Sequence, residues 1–125
     1  MNKIYYAHHL WKYDTDIEKY ELDLIKRYFP YDEIINPNGY IEQCREESEI
    51  MIDCLSTIGD CNILIFSSVN GVVGKGVVDE FNKALELGLH IYYIMNDILC
   101  NAENYGFKLT NSGNNRLYAI VSTNK

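Results

Sequence analysis

Hydrophobic and polar positions in this chain follow two alternating patterns. Short apolar runs of strand length are separated by segments in which apolar residues recur every three or four positions, as on one face of a helix. The predicted strands cover residues 3–7, 33–35, 62–66, 90–95 and 117–121. Strands that alternate with helices over short connections favour right-handed crossovers and a mostly parallel sheet. We therefore predict a single α/β domain spanning residues 1–125.

Three amphipathic helices are predicted between these strands. The first begins at a capping box formed by Thr15 and Glu18, and it ends before Pro30. Its predicted buried face comprises Ile17, Tyr20, Leu24, Ile25 and Tyr28. The second helix is predicted over about residues 41–57, with Cys44, Met51, Leu55 and Ile58 on one face. The third covers about residues 77–87. The polar segment 96–115 has no clear period.

Composition and charge exclude several classes of function. The chain has 125 residues, and 11 Lys plus Arg against 18 Asp plus Glu give a net charge of 11 − 18 = −7. An acidic surface is unsuited to binding a nucleic-acid polymer or an anionic membrane. No apolar stretch is long enough to span a bilayer, and residues 1–6 lack a secretory signal, so we expect a cytoplasmic protein. The four cysteines have no C-x-x-C spacing, and we expect reduced thiols, no metal and no cofactor.

The segment most suggestive of chemistry is a glycine-containing loop after the predicted central strand. Gly74, Lys75 and Gly76 stand immediately before the third predicted helix. Glycines in this position bring backbone N–H groups close to an anion at the helix N-terminus. The order of residues matches neither a P-loop nor a dinucleotide-binding fingerprint. A flexible turn with no ligand is an equally good interpretation of the loop alone.

Glu80 lies on the predicted inward face of the third helix. Val77, Phe81 and Ala84 share that face, so the carboxylate points toward the sheet edge where ligands of α/β proteins bind. A first-turn carboxylate can also simply complement the helix dipole, but Asp79, turned about 100° away, fits that role better. The same dipole predicts an ionised Glu80, as a nucleophile or base requires.

These residues resemble the nucleoside 2-deoxyribosyltransferase family, whose superfamily includes nucleoside 5′-monophosphate N-glycosidases. The resemblance rests on Glu80-x-x-x-Ala84-x-x-x-Gly88 after a glycine loop and an apolar strand, and on the opening segment 3–8. It implies a flavodoxin-like, Rossmann-like three-layer sandwich with a mostly parallel five-stranded sheet. It also implies a covalent glycosyl-enzyme, with Glu80 as the nucleophile and Tyr5 steadying that carboxylate.

The chain departs from the family pattern at two positions. Asp53 is the nearest candidate for the aspartate that assists the leaving base, although its spacing differs and a solvated helix carboxylate is an equal interpretation. Gly74 replaces the aspartate six residues before the nucleophile, which favours a nucleotide phosphate over a free nucleoside. The predicted substrate-binding residues are His8, Ser67, Gly74, Lys75 and Gly76.

We therefore predict an enzyme that cleaves or transfers the N-glycosidic bond of a nucleoside or nucleoside 5′-monophosphate. The alternative is a non-catalytic module that senses or sequesters a nucleotide-derived ligand in the same pocket. Tyr5, Tyr6 and Tyr13 are candidates to stack on a base. The resemblance implies assembly around the site, so we expect a homodimer or a larger homo-oligomer.

Overall fold

The computed structural model describes residues 1–110 and 116–122. The helices are α1 (Asp16–Tyr28), the short α2 (Pro37–Tyr40), α3 (Glu47–Ile58) and α4 (Lys75–Leu87), and a 3-10 turn covers Leu10–Lys12. The strands are β1 (Lys3–Ala7), β2 (Glu33–Ile35), β3 (Ile63–Phe66), β4 (Val72–Gly74), β5 (His90–Met95), β6 (Ile98–Asn101), β7 (Tyr105–Leu109) and β8 (Leu117–Ser122). None of the helices in the described ranges is long and apolar enough to cross a membrane.

The main sheet has five strands in the order β2-β1-β3-β5-β6. The first four are parallel, whereas β6 runs antiparallel to β5, so the sheet is mixed but mostly parallel. All four residues of β3 are buried, as predicted for a central strand. Leu24 and Ile25 of α1 pack on one face, while α3 and α4 pack on the other. The predicted α/β class is confirmed.

The predicted last strand forms, but it does not join the main sheet. β8 pairs with β4 and β7 in a separate antiparallel sheet of order β4-β8-β7. The edge of the main sheet is instead occupied by β6, which follows a two-residue turn at Asn96 and Asp97. Both turn residues have positive φ, as a tight hairpin between twisted strands requires. This hairpin returns the chain directly onto β5.

Helix α1 buries a different face from the one predicted. Thr15 caps it, as expected, by accepting a hydrogen bond from the Glu18 N–H. However, Ile17, Tyr20 and Tyr28 are exposed, and the buried positions are Glu18, Glu21, Leu24 and Ile25. The prediction was right for Leu24 and Ile25 and wrong for the other three, because the buried face is turned toward Glu18 and Glu21. Here two carboxylates face inward and find polar partners, the Lys12 ammonium for Glu21 and the His8 ring for Glu18, which offset the cost of their burial.

Helix α3 begins six residues later than predicted. Residues 41–46 are held outside the helix by side-chain contacts with the local backbone. Gln43 donates to the Ile41 carbonyl, Glu42 accepts from the Cys44 N–H, and Arg45 donates to the Glu42 carbonyl. Such local hydrogen bonds compete with helix formation. Cys44 is consequently exposed and does not belong to the buried face.

Candidate functional site

A cavity of about 660 Å³ opens beyond the carboxyl end of β1, where α/β sheets bind ligands. Its walls come from three parts of the chain: the loop after β1, the first half of α3, and the glycine loop with the first turns of α4. Arg116 and Leu117, at the start of β8, complete the rim. The cavity has the size and the mixed apolar and polar lining of a small-molecule site.

Glu80 faces this cavity from the inward side of α4. Its side chain is buried, and Tyr5 on the neighbouring β1 donates a hydrogen bond of 2.5 Å to Oε2. The two residues meet because β1 alternates its side chains and places Tyr5 on the α4 side of the sheet. The structure thus brings together the carboxylate and the tyrosine that sequence analysis paired.

The protonation of Glu80 differs from the sequence prediction. Burial raises the pKa of its carboxyl from 4.5 to about 7, while hydrogen bonds from Tyr5 and Cys54 act in the opposite direction. Desolvation therefore favours the protonated form of the carboxyl, in contrast to the ionised group that the helix position alone predicts. Burial also raises the pKa of the Tyr5 hydroxyl far above its usual range and that of the Cys54 thiol to about 11. Tyr5 and Cys54 therefore remain protonated donors toward Glu80.

Gly74, Lys75 and Gly76 all line the cavity, as predicted. Gly74 is the N-cap of α4 and has no side chain with which to satisfy the first N–H groups of the helix. Lys75 Nζ lies 2.8 Å from Asp79 Oδ2, an exposed ion pair on the outer side of the helix. The glycine loop therefore presents backbone donors to the cavity, with a lysine at its edge.

Two predicted binding side chains are engaged elsewhere. His8 borders the cavity, but its ring is buried and stacked on Tyr6, with Nε2 2.7 Å from Glu18. Burial lowers the pKa of His8. Ser67 Oγ contacts Lys12 Nζ at 2.8 Å and Glu21 at 2.7 Å. Both side chains therefore belong to a polar cluster between the sheet and α1, although His8 also borders the cavity that Glu80 faces.

Asp53 is not brought to Glu80. It borders a separate cleft of about 360 Å³, where its Oδ2 lies 2.6 Å from Arg45 Nη2. Because successive helical side chains are about 100° apart, Cys54 faces the cavity in place of Asp53. The structure therefore gives Asp53 a partner of its own and places it away from the buried carboxyl.

Several lining residues were not selected from the sequence as site residues. His9, Trp11 and Tyr13 form an aromatic wall, and Arg116 places a second cation on the rim. Tyr13 was named from the sequence only as a candidate to stack on a base, together with Tyr5 and Tyr6. The detectable signal was the aromatic density directly after β1, which ends at the ligand-binding edge. Arg116 gave no such signal because its place depends on the pairing of β8 with β4.

Within residues 1–110 and 116–122, no group of three or more His, Cys, Asp or Glu side chains is arranged to hold a metal ion. The four cysteines are free thiols. Comparison with protein-family models and with curated proteins finds no match to this chain.

Proposed function

We propose that the cavity binds a nucleoside or a nucleoside 5′-monophosphate and that Glu80 attacks its anomeric carbon. The single observation that carries this proposal is the buried Glu80 carboxyl, hydrogen-bonded by Tyr5 and facing a small-molecule cavity. A buried carboxyl destabilises the fold, so its presence beside a cavity indicates a functional purpose. The resemblance described above supplies that purpose, and the parallel order β2-β1-β3-β5 supports a flavodoxin-like arrangement.

The remaining lining suits such a substrate. Trp11 and Tyr13 offer aromatic faces for a base, and Lys75 and Arg116 offer positive charge for a phosphate. Backbone N–H groups at the N-terminus of α4 add neutral donors for the same anion. An acidic protein can therefore accept an anionic nucleotide at this place.

The proposed reaction has two steps. In the first, a Glu80 oxygen forms a bond to the anomeric carbon, while the bond from that carbon to the base nitrogen breaks and the base leaves with the electron pair and then takes up a proton. Oxocarbenium character in the transition state is stabilised by the carboxylate. In the second, water or another base attacks the same carbon and releases Glu80 as a carboxylate. Tyr5 orients the attacking group throughout.

The test is incubation with a panel of nucleosides and their 5′-monophosphates, with chromatography of the released base. Glu80→Gln should lower base release by about 10²-fold or more while binding largely survives, because the interaction lost belongs to the transition state. Asp79→Asn, on the adjacent outward position of the same helix, should retain activity within about threefold of wild type. Full turnover by the Glu80→Gln variant would exclude this role for Glu80.

One observation favours a second candidate, the binding module without turnover. Burial raises the pKa of the Glu80 carboxyl and so favours its neutral form, which binds ligands by hydrogen bonding but does not attack carbon. If the wild type binds a nucleotide with no base release between pH 6 and 9, the cavity is a sensor or a store.

A further inference from the structure

A cluster of buried charges lies under the loop that joins β1 to α1, residues 8–15. Lys12 Nζ donates to Glu21 Oε2 at 2.9 Å and to Ser67 Oγ at 2.8 Å. The other Glu21 oxygen accepts hydrogen bonds from the Tyr6 hydroxyl at 2.5 Å and from Ser67 at 2.7 Å. Lys12, Glu21 and Ser67 are all more than nine-tenths buried. The cluster sits on the α1 side of the sheet, opposite the face that carries Glu80.

A second buried pair fixes the ends of the same loop. His8 Nε2 lies 2.7 Å from Glu18 Oε2, and Glu18 Oε1 accepts the Asp14 N–H at 3.1 Å. Asn38 then bridges from α2, donating to Asp14 and to Glu18. Glu18 of α1 therefore contacts both ends of the loop, His8 at its start and Asp14 near its end. Every buried side-chain polar atom in the described part of the chain has a hydrogen-bond partner.

The loop carries the aromatic wall of the cavity but has little apolar anchorage of its own. Leu10 is 63% exposed and Trp11 is 59% exposed. Lys12 is the single buried residue in the range 9–15. Hydrophobic burial alone therefore does not explain the position of the loop, because Leu10 and Trp11 remain mostly in solvent and Tyr13, packed beside the His8 ring, is only half-buried. In the middle of the loop, the Lys12 ammonium reaches into the core, where it contacts Glu21 and Ser67.

We propose that Lys12 is a positioning residue: its ion pair with Glu21 holds the β1–α1 loop so that His9, Trp11 and Tyr13 form a preformed wall of the cavity. The identity of the ligand rests on the function proposed above, whereas the placement of the loop does not. A buried ion pair contributes little net stability compared with apolar residues of similar volume, but it has strict geometry. We expect the ion pair to act by holding the loop in place before the ligand binds, which lowers the free-energy cost of ordering the loop on binding.

The test compares the double variant Lys12→Met with Glu21→Gln against the wild type. The introduced amide keeps partners for the Tyr6 and Ser67 hydroxyls, and the introduced thioether side chain fills the space of the lysine stem, so no buried charge is left unpaired. The matched control is Lys83→Met with Glu86→Gln, which removes an ion pair on the outer side of α4, far from the loop. Trp11 is the only tryptophan in the chain, so its fluorescence reports the loop directly.

In the ligand-free double variant, we expect the amplitude of the fast local component of the Trp11 anisotropy decay to rise about twofold, with native circular dichroism. For any of four nucleoside 5′-monophosphates that binds the wild type, Kd and KM should rise about tenfold while kcat changes by less than about threefold. The Lys83 and Glu86 control should match the wild type in all measurements.

Ser67→Ala serves as a milder second variant, because it removes one contact of Lys12 without removing a charge. It should change the anisotropy decay in the same direction and by a smaller amount. If the folded double variant shows the wild-type anisotropy decay, Lys12 does not position the loop and the proposal is wrong. If no nucleotide binds the wild type, the function proposed above fails, and the ligand-free fluorescence still decides the role of Lys12.

Discussion

At the scale of single residues, the Glu80 carboxyl links chemistry to stability. Its pKa rises from 4.5 to about 7 on folding, chiefly because burial disfavours the charged form. Between these two pH values the folded chain binds more protons than the unfolded chain, so the free energy of unfolding falls as pH rises. Above pH 7 the carboxyl is ionised in both the folded and the unfolded chain, and its burial lowers the free energy of unfolding by the full amount, about 3 kcal/mol. The buried carboxyl therefore lowers the stability of the fold at neutral and alkaline pH.

Glu80→Gln should therefore stabilise the protein at pH 8. The amide has a similar volume and still accepts the Tyr5 hydrogen bond, but it has no charge to desolvate. We expect the variant to gain up to about 3 kcal/mol in free energy of unfolding at pH 8 and almost nothing at pH 4.5. Urea unfolding at the two pH values measures this difference. An equal gain in free energy of unfolding at the two pH values would show that folding does not bury an ionised Glu80.

The pH dependence of activity follows from the same group. If ionised Glu80 is the nucleophile, kcat/KM should rise about tenfold per pH unit below 7 and level off above it. Tyr5→Phe removes a hydrogen bond that lowers the pKa of Glu80, so its acid limb should move to higher pH. Rates measured from pH 5 to 9 test both expectations. A wild-type profile that is flat between pH 5.5 and 7 would contradict them.

At the scale of elements, the start of α4 depends on two glycines with different surroundings. A Cβ on Gly74 would lie 2.8 Å from the His9 ring carbon Cδ2, whereas a Cβ on Gly76 would meet the flexible end of Met51 at 3.2 Å. The first contact is with a ring that is itself tied to the β1–α1 loop, since His9 Nδ1 accepts the Trp11 N–H at 3.1 Å. Gly74 is therefore needed for close approach of the loop to α4.

Gly74→Ala and Gly76→Ala should have opposite effects. The first should lower the free energy of unfolding by about 1–3 kcal/mol, because the His9 ring must move, and it should weaken ligand binding with it. The second should be neutral or stabilising by up to about 1 kcal/mol, since alanine favours a helix and Met51 can shift. Thermal unfolding of the two variants side by side gives the comparison. Equal destabilisation would mean that His9 does not set the requirement at Gly74.

At the scale of the whole molecule, three large side chains on α1 remain exposed along one edge of its buried face. Ile17, Tyr20 and Tyr28 are exposed there, although Tyr20 hydrogen-bonds to Asp97 of the β5–β6 turn. Sequence analysis assigned the same side chains to the core. Their exposure makes this edge of α1 the strongest candidate for the self-association that the family resemblance implies.

We therefore predict a homodimer, or a larger homo-oligomer, that uses this edge of α1. Light scattering at micromolar concentration should give at least twice the mass of one chain. Ile17→Glu, which places a charge in the middle of the patch, should shift the mass toward that of a monomer. Leu109→Glu, at an exposed position of β7, is the control and should not. A monomeric wild type at that concentration would refute the prediction.

Local sequence patterns alone determined much of this protein. The apolar runs of β1, β3 and β5, the Thr15 cap of α1 and the inward face of α4 are as predicted. Gly88, in the left-handed conformation, ends α4 as expected. These features follow from interactions within a few residues, namely helical period, strand alternation and capping. They were sufficient to place Glu80 toward the sheet, whereas its pairing with Tyr5 was implied only by the family resemblance.

Tertiary structure alone decided the remaining features, because each depends on residues far apart in the chain. The carboxylates of α1 turn inward because Lys12 and Ser67 meet Glu21 across the fold. β8 lies outside the main sheet because β6 occupies the edge beside β5 and β8 pairs with β4 and β7, and such strand pairing is not local. The pKa of Glu80 was misjudged from its helix position, since desolvation arises from the whole surrounding core and outweighs a dipole of fixed, modest strength.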